Sequence, residues 1–224
     1  MNSYEIEIKT LLGNKDQADA LVERMKAKDP NLVSVGSHKQ LNHYFEGGDI
    51  NKLKENLKPH LPEEKQEIFE SIIQKVKDYS IRSRWADGKV IFVMKASVDD
   101  TTASNGTARM EFESAVNLTL EQLDQVLLDS GFKYQAKWSR ERTDYKFKDM
   151  NVSVDKNAGY GYLAEFEIVE TDPSKADETK SRLRQTMSEL GVEELNQDRL
   201  ARMFDFYNNN WQDYYGTEKV FVIQ

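Results

Sequence analysis

The sequence contains no cysteine, and only four prolines and three histidines among its 224 residues. Without thiols there is no disulfide framework, no thiolate nucleophile and no sulfur-bound metal. His38, His43 and His60 lack the paired spacing of a zinc centre. Any metal would therefore sit on oxygen, which points to magnesium, manganese or calcium. Long apolar runs are also missing, and no stretch approaches the length of a membrane span. The opening MNSYEIEIKT carries acidic residues where a secretory signal needs a basic start and an apolar run. A cytoplasmic address is the expectation, which makes the glycosylation-type triplets at Asn105, Asn117 and Asn151 chance matches. Positive charge is in deficit, with 31 Lys and Arg against 39 Asp and Glu for a net −8. That balance argues against generic binding to nucleic acid or an anionic membrane. It leaves room for a buried basic pocket.

What the chain does have is an ordinary globular composition, 38% hydrophobic and 31% charged. Its length suffices for one domain with a full core. No internal repeat, low-complexity tract or Pro/Gly linker divides it, so a single domain over 1–224 is expected. Alternating apolar and polar residues predict strands at 4–11, 39–46, 79–86, 89–97, 107–116, 133–147, 151–156 and 162–170. Helical periodicity predicts helices at 15–28, 62–78, 119–130, 174–190 and 196–212. Asp16 and Thr119 sit near helix starts, and Gly131 and Gly191 follow helix ends. Asp87-Gly88 is a strong two-residue hairpin signal, and Asn105-Gly106 marks a turn in a longer loop. The stretch 48–78 reads as a polar helical excursion that tucks Ile68, Phe69, Ile72 and Ile73 inward. The C-terminal helices across 174–212 follow the last strand.

Successive side chains of a strand point to opposite faces. In the first run Tyr4, Ile6 and Ile8 share one face, and Glu5, Glu7 and Lys9 the other. Met110 and Phe112 oppose Arg109, Glu111 and Glu113, while Phe166 and Ile168 oppose Glu165 and Glu167. A two-residue turn at Asp87-Gly88 pairs positions whose numbers sum to 175. Arg82 and Arg84 then share a face with Ile91, Val93 and Lys95, away from Trp85, Phe92 and Met94. Any even-length turn near Lys148-Asp149 places Arg140 and Arg142 with Asp155, opposite Tyr145, Phe147, Val152 and Val154. The charged faces thus collect Glu5, Glu7, Glu111, Glu113, Asp155, Glu165 and Glu167 with Lys9, Arg82, Arg84, Lys95, Arg109, Arg140 and Arg142. Half-buried strands commonly show water a polar face. Such faces usually carry Thr, Ser, Gln and Lys, however, whereas these are dominated by Arg and Glu. The other arrangement encloses the charges in a barrel, where paired ions and a ligand offset the cost of burial. Arginine forks match phosphate oxygens, and carboxylates hold magnesium that bridges to phosphate.

The residues resemble the CYTH family, also called triphosphate tunnel metalloenzymes. The diagnostic Glu-x-Glu-x-Lys is present as Glu5-Ile-Glu7-Ile-Lys9. Tyr44-Phe45, the basic pair in IRSRW, Lys95, RMEFE, the basic pair in SRERTDY, Asp155 in VSVD and the run into AEFEIVE follow in family order over residues 4–170. The resemblance implies an α+β fold with an eight-stranded antiparallel β-barrel forming a tunnel and helices packed outside. It further implies that Glu5, Glu7, Glu165 and Glu167 are metal ligands or their immediate partners, with Asp155, Glu111 and Glu113 as supporting acids. Arg82, Arg84, Lys95, Arg109, Arg140 and Arg142 resemble phosphate ligands. Lys9 resembles a lysine associated with activating water, and Tyr44 a tyrosine that partners it. The implied cofactor is Mg2+ or Mn2+. The implied partner is a triphosphate-containing small molecule, and the chain is expected to be a monomer or a homodimer.

Three functions fit. The first is a triphosphatase acting on inorganic triphosphate, or on thiamine or nucleoside triphosphates. The second is a class IV-type adenylate cyclase converting ATP to cyclic AMP and pyrophosphate. The third is a non-catalytic polyphosphate- or nucleotide-binding module. The first is favoured by the Lys9–Tyr44 pair. Other conspicuous residues have plain readings: Gly159-Tyr-Gly161 as a turn or bulge, Trp138 and Trp211 as packing residues, His43 as an ordinary strand position, and FDFYNNNWQDYYG as a helix-packing segment.

Overall fold

A computed structural model describes residues 4–74, 76, 78–97 and 110–223. Among these described residues, eight strands and six α-helices follow in the order β1 (Tyr4–Gly13), α1 (Lys15–Lys28), β2 (Val33–Gly47), α2 (Ile50–Leu57), α3 (Glu63–Ile73), β3 (Asp78–Ala86), β4 (Lys89–Ser97), β5 (Met110–Val116), α4 (Leu120–Asp129), β6 (Phe132–Phe147), β7 (Met150–Asn157), β8 (Gly161–Glu170), α5 (Ala176–Glu189) and α6 (Gln197–Asn210). The strands form one antiparallel sheet in the order β1-β8-β7-β6-β2-β3-β4-β5. This is the expected α+β class and strand number. Among the described residues β1 and β5 are the ends of the order, so hydrogen bonds do not close the sheet as the barrel expectation had it. The turn expected at Asn105-Gly106, and Arg109, lie outside the described residues.

The chain forms two compact units. The first holds the described residues within 1–39 and 139–224, the second those within 40–101 and 109–138. β2 and β6 contribute to both.

In the first unit β1 pairs with β8 and β8 with β7, and their apolar faces meet α1 and α5. Ile6, Ile8, Val152 and Phe166 from the strands bury against Leu21, Met25, Leu183 and Met187 from the helices. α1 forms because Ala18, Leu21 and Met25 recur on one face, and the Asn14 side chain caps it by accepting from the Gln17 N–H at 3.0 Å. Truncating a fully buried leucine such as Leu21 removes about 2–5 kcal/mol. After α6, an extended segment hydrogen-bonds to the β7–β8 turn. The Gly159 N–H donates to the Lys219 carbonyl at 2.9 Å and the Phe221 N–H to the Gly159 carbonyl at 2.8 Å. Tyr160, Phe206, Tyr207, Tyr214 and Phe221 pack ring against ring there, with Tyr207 fully buried. Tyr207 and its ring partners in the aromatic C-terminal run thus pack within this unit, while Phe204 is exposed.

Gly159 and Gly161 belong to that turn, with φ of 81° and 73°. A Cβ on Gly161 would penetrate the Gly13 carbonyl oxygen, so close backbone approach, not phosphate binding, requires this glycine. Gly161→Ala is expected to cost about 1–3 kcal/mol. A thermal melt that matches the parent would show that β8 shifts freely from Gly13.

In the second unit β3 pairs with both β2 and β4, and β4 with β5. The hairpin turn is at Asp87-Gly88, both with positive φ (47° and 85°), and pairs Ala86 with Lys89 as expected. Ile81, Phe92, Met94 and Phe112 bury against Leu53, Leu57 and Phe69 of the excursion and Leu123 and Leu127 of α4. The excursion differs from its expected form. It comprises two helices and a 3-10 turn, Lys58–His60, with Pro59 near the start of the turn and Pro62 at the head of α3. Proline lacks the N–H a continuing helix needs. The predicted helix over 62–78 ends at Ile73, and Asp78 already opens β3. Phe69, Ile72 and Ile73 are buried, but Ile68 is half exposed because it falls off their helical stripe. β2 begins six residues earlier than expected, at Val33, where polar neighbours mask the alternation.

Candidate active site

The polar faces of the strands carry two ion-pair clusters, one in each unit. In the first unit β1 contributes Glu5, Glu7 and Lys9, β6 Arg140 and Arg142, β7 Asp155, and β8 Glu165 and Glu167. Register brings them together. Lys9 lies opposite Glu165, Glu7 opposite Glu167, and Arg142 opposite Asp155. The Arg142 guanidinium donates from Nε and NH2 to the two oxygens of Asp155, each at 2.7 Å, and from NH2 to Glu165 at 2.5 Å. Arg140 reaches Asp155 at 3.3 Å. Lys9 donates to Glu7 at 2.5 Å and lies 3.3 Å from Glu165. One carboxylate oxygen each from Glu5, Glu7 and Glu167 lies within 4.8 Å of the other two.

In the second unit the Tyr44 hydroxyl accepts from Arg82 NH1 at 2.7 Å, and Arg82 NH2 donates to Glu111 at 3.0 Å. Lys95 approaches the other oxygen of Glu111 at 3.5 Å. Arg84 donates from Nε to Asn42 Oδ1 at 2.9 Å and from NH1 to Glu113 at 2.7 Å. Tyr44 is further packed edge-on by Trp138, with ring centroids 6.5 Å apart.

Exposure decides between the two readings of these faces. The arginine side chains are 12–16% exposed and Asp155 is 1% exposed. An ordinary surface pair in the same molecule, Lys15–Asp19, is 67% and 61% exposed. Solvated faces do not hide four guanidinium groups, so the arginines are sheltered and compensated by acids, although Glu113 stays 41% exposed.

Electrostatics follow from that pairing. Burial works against charge on Lys9, but Glu165 and Glu7 outweigh it and hold the ammonium above its ordinary pKa. Glu165 is likewise penalised by burial, yet Lys9, Arg142 and Arg140 hold its carboxyl well below the usual range. Burial also opposes charge on Arg82, and Tyr44 and Glu111 overcome it.

All the sequence-selected site residues within the described chain lie in one cluster or the other. Among the described residues the oxygens of Glu5, Glu7 and Glu167 converge, Asp155 and Glu165 hold Arg142, and within the second unit Glu111 and Glu113 hold Arg82 and Arg84. Two participants escaped the sequence reading. Asn42 orients Arg84, and its signal was alternation with Tyr44 along β2. Asn151 donates to Glu167 at 2.9 Å and lies directly opposite it, a pairing readable from the β7–β8 turn. His43 takes the plain role expected, turned away from Tyr44 and buried.

Fold and clusters together define a class: an α+β protein whose antiparallel strands pack apolar side chains against helices and carry an ion-pair cluster of both signs in each unit. Residues 3–201 match the CYTH domain, and the chain belongs to the CYTH family. No curated protein sequence gives a significant match. Among solved structures, PH1819 from Pyrococcus horikoshii OT3 is 20% identical with a TM-score of 0.59, covering 86% of this chain and 93% of that one. A candidate adenylate cyclase from Vibrio parahaemolyticus is 13% identical with a TM-score of 0.60, covering 92% and 99%. A candidate adenylyl cyclase from Hippeastrum, HpAC1, reported to have a dominant triphosphatase activity, is 16% identical with a TM-score of 0.52, covering 90% and 96%. At these identities the likeness is one of fold. No helix among the described residues is long and apolar enough to cross a membrane.

Proposed function

We propose that this CYTH-family chain is a divalent-metal-dependent phosphohydrolase acting on a triphosphate, with inorganic triphosphate as the first substrate to test. The sheltered arginines carry the reading. Arg82, Arg84, Arg140 and Arg142 each present a fork already bonded to an oxygen acid or its neutral partner, and a phosphate oxygen matches the same geometry. Within each unit phosphate oxygens would compete with the carboxylates for these forks, so the displaced carboxylates need new positive charge. Glu5, Glu7 and Glu167 supply an all-oxygen donor set that suits magnesium or manganese. A bound cation of that kind would neutralise and orient phosphate oxygens.

Phosphoryl transfer demands positioning and charge stabilisation more than covalent help. In hydrolysis a water oxygen bonds to the terminal phosphorus, the bridging P–O bond breaks, and orthophosphate and pyrophosphate leave with release of a proton. The arginines offset charge as it develops on the transferred group. Lys9, linked by family likeness to water activation, is held as an ammonium by Glu165 and Glu7, and we assign it to charge stabilisation. Lys9→Arg should then keep turnover within about tenfold, whereas loss of a general base costs about 10²–10⁴-fold. A collapse of Lys9→Arg to the level of Lys9→Ala, with an altered pH profile, would return the proton-transfer role to Lys9.

The assay offers inorganic triphosphate and ATP separately, with magnesium or manganese. Phosphate release from triphosphate without cyclic AMP is expected. Cyclic AMP with pyrophosphate from ATP would make the chain an adenylate cyclase, and tight binding without turnover would make it a binding module.

A further inference from the structure

Behind the arginine-bearing strands of the second unit lies a polar centre that the site does not include. β2 and β3 run antiparallel with Asn42 opposite Arg84, His43 opposite Ser83, and Tyr44 opposite Arg82. Directly opposed residues share a face, and the next pair along takes the other face. The middle pair therefore turns away from the arginines, toward α4. There both side chains reach one carboxylate. Asp124 of α4 accepts a short hydrogen bond from the Ser83 hydroxyl and shares one of 2.7 Å with His43 Nδ1. The Tyr134 hydroxyl of β6 donates to the same group at 2.8 Å.

This centre is sealed. The His43 and Asp124 side chains are 7% and 5% exposed, and Ser83 is fully buried. α4 otherwise docks through Leu120, Leu123 and Leu127, so Asp124 sits in a stripe where an apolar residue would avoid the desolvation penalty. Burial disfavours its ionised form, yet the hydrogen bonds from His43 and Ser83 keep its carboxyl below the ordinary range. One buried anion thus ties a helix to three strands, at the rung between the two that aim the arginines. On the front of that rung, Tyr44 holds Arg82 at 2.7 Å and Asn42 holds Arg84 at 2.9 Å.

We propose that Asp124 is a positioning residue for substrate binding: by gripping His43 and Ser83 from behind, it fixes the β2–β3 rungs that aim the Arg82 and Arg84 forks at the triphosphate. The proposal rests on the triphosphate reading of the site. Guanidinium groups sit at the ends of long side chains, so a small change in strand pleat becomes a larger displacement at the fork. A misplacement of about 1 Å can cost on the order of 10²-fold in rate.

The test compares Asp124→Asn with Leu123→Ala, a fully buried neighbour on the same helix. Both are assayed below their melting transitions, with inorganic triphosphate and magnesium. For Asp124→Asn, KM should rise about tenfold or more with a smaller change in kcat, the signature of lost binding geometry. Leu123→Ala should melt at least as early yet keep KM within about twofold of the parent. If Asp124→Asn fails to fold, Ser83→Ala takes its place, with a smaller KM rise expected. An unchanged KM in the folded variant, or an equal rise in Leu123→Ala, would leave Asp124 a packing residue and overturn the proposal. A parent protein that neither binds nor cleaves triphosphate would instead overturn the functional reading, and this inference with it.

Discussion

Arg142→Ala is expected to lower kcat/KM for triphosphate by about 10³-fold, near the upper end for removal of one charge-stabilising donor, and to destabilise the fold. The geometry explains both losses. Arg142 makes two 2.7 Å bonds to Asp155 and one of 2.5 Å to Glu165. Asp155 is almost inaccessible to water, so truncating the arginine leaves it with Arg140 at 3.3 Å. Stranding a buried charge in this way costs about 3–5 kcal/mol. Arg142→Lys restores the charge without the fork, and should recover part of the stability and little of the activity. The double variant Arg142→Ala with Asp155→Ala removes the stranded ion, so it should be more stable than the single variant while remaining inactive. Urea unfolding beside steady-state kinetics separates these outcomes, and a loss of under about 1 kcal/mol in the single variant would mean that water already solvates Asp155. Acid unfolding gives a second check. A carboxyl depressed in the folded state stabilises above its unfolded pKa, and that contribution disappears as pH falls through the folded value. Glu165 is such a group. Removing Arg142 raises its folded pKa, so the variant should begin to unfold at higher pH than the parent.

The second large effect is expected at the opposite charge. Glu5→Gln combined with Glu167→Gln should cut turnover by about 10³-fold at millimolar magnesium, a scale set by loss of transition-state charge stabilisation. Stability without metal should stay level or rise. Three carboxylates with oxygens inside 4.8 Å repel one another, and an amide in place of two of them removes that repulsion while keeping the acceptor that Asn151 uses. Metal supplies the readout that activity alone lacks. A cation at 100 times its Kd stabilises the folded state by about 2.7 kcal/mol, so magnesium or manganese should raise the parent's melting temperature and barely move the variant's. Equal metal-dependent shifts in both proteins would place the cation elsewhere.

Much of this arrangement was legible in the sequence because strands have period two and tight hairpins fix register. Asp87-Gly88 alone put Arg82 and Arg84 on the face of Lys95, and any even-length turn near Lys148-Asp149 put Arg140 and Arg142 on the face of Asp155, which the pairing of Arg142 with Asp155 agrees with. Partners across non-neighbouring elements were not legible. Asp124 reads as one polar residue in an amphipathic helix, and only tertiary packing brings His43, Ser83 and Tyr134 to it. The division of the 48–78 excursion into α2 and α3 was hidden for another reason. Prolines 59 and 62 signal an interruption, but the apolar spacing runs on past them. Closure of the strands into a ring was suggested by the charge pattern and by kinship, and among the described residues hydrogen-bonded pairing ends at β1 and β5.

β3 serves two masters residue by residue: Arg82 and Arg84 turn toward the charged cluster, while Ile81, Ser83 and Trp85 turn toward the interior and the helix behind. A one-residue insertion or deletion in such a strand would exchange the two sets at a stroke, stripping the site and salting the core together. Changes of length are therefore tolerated only in segments such as the loops and the helical excursion, which lie outside the alternation.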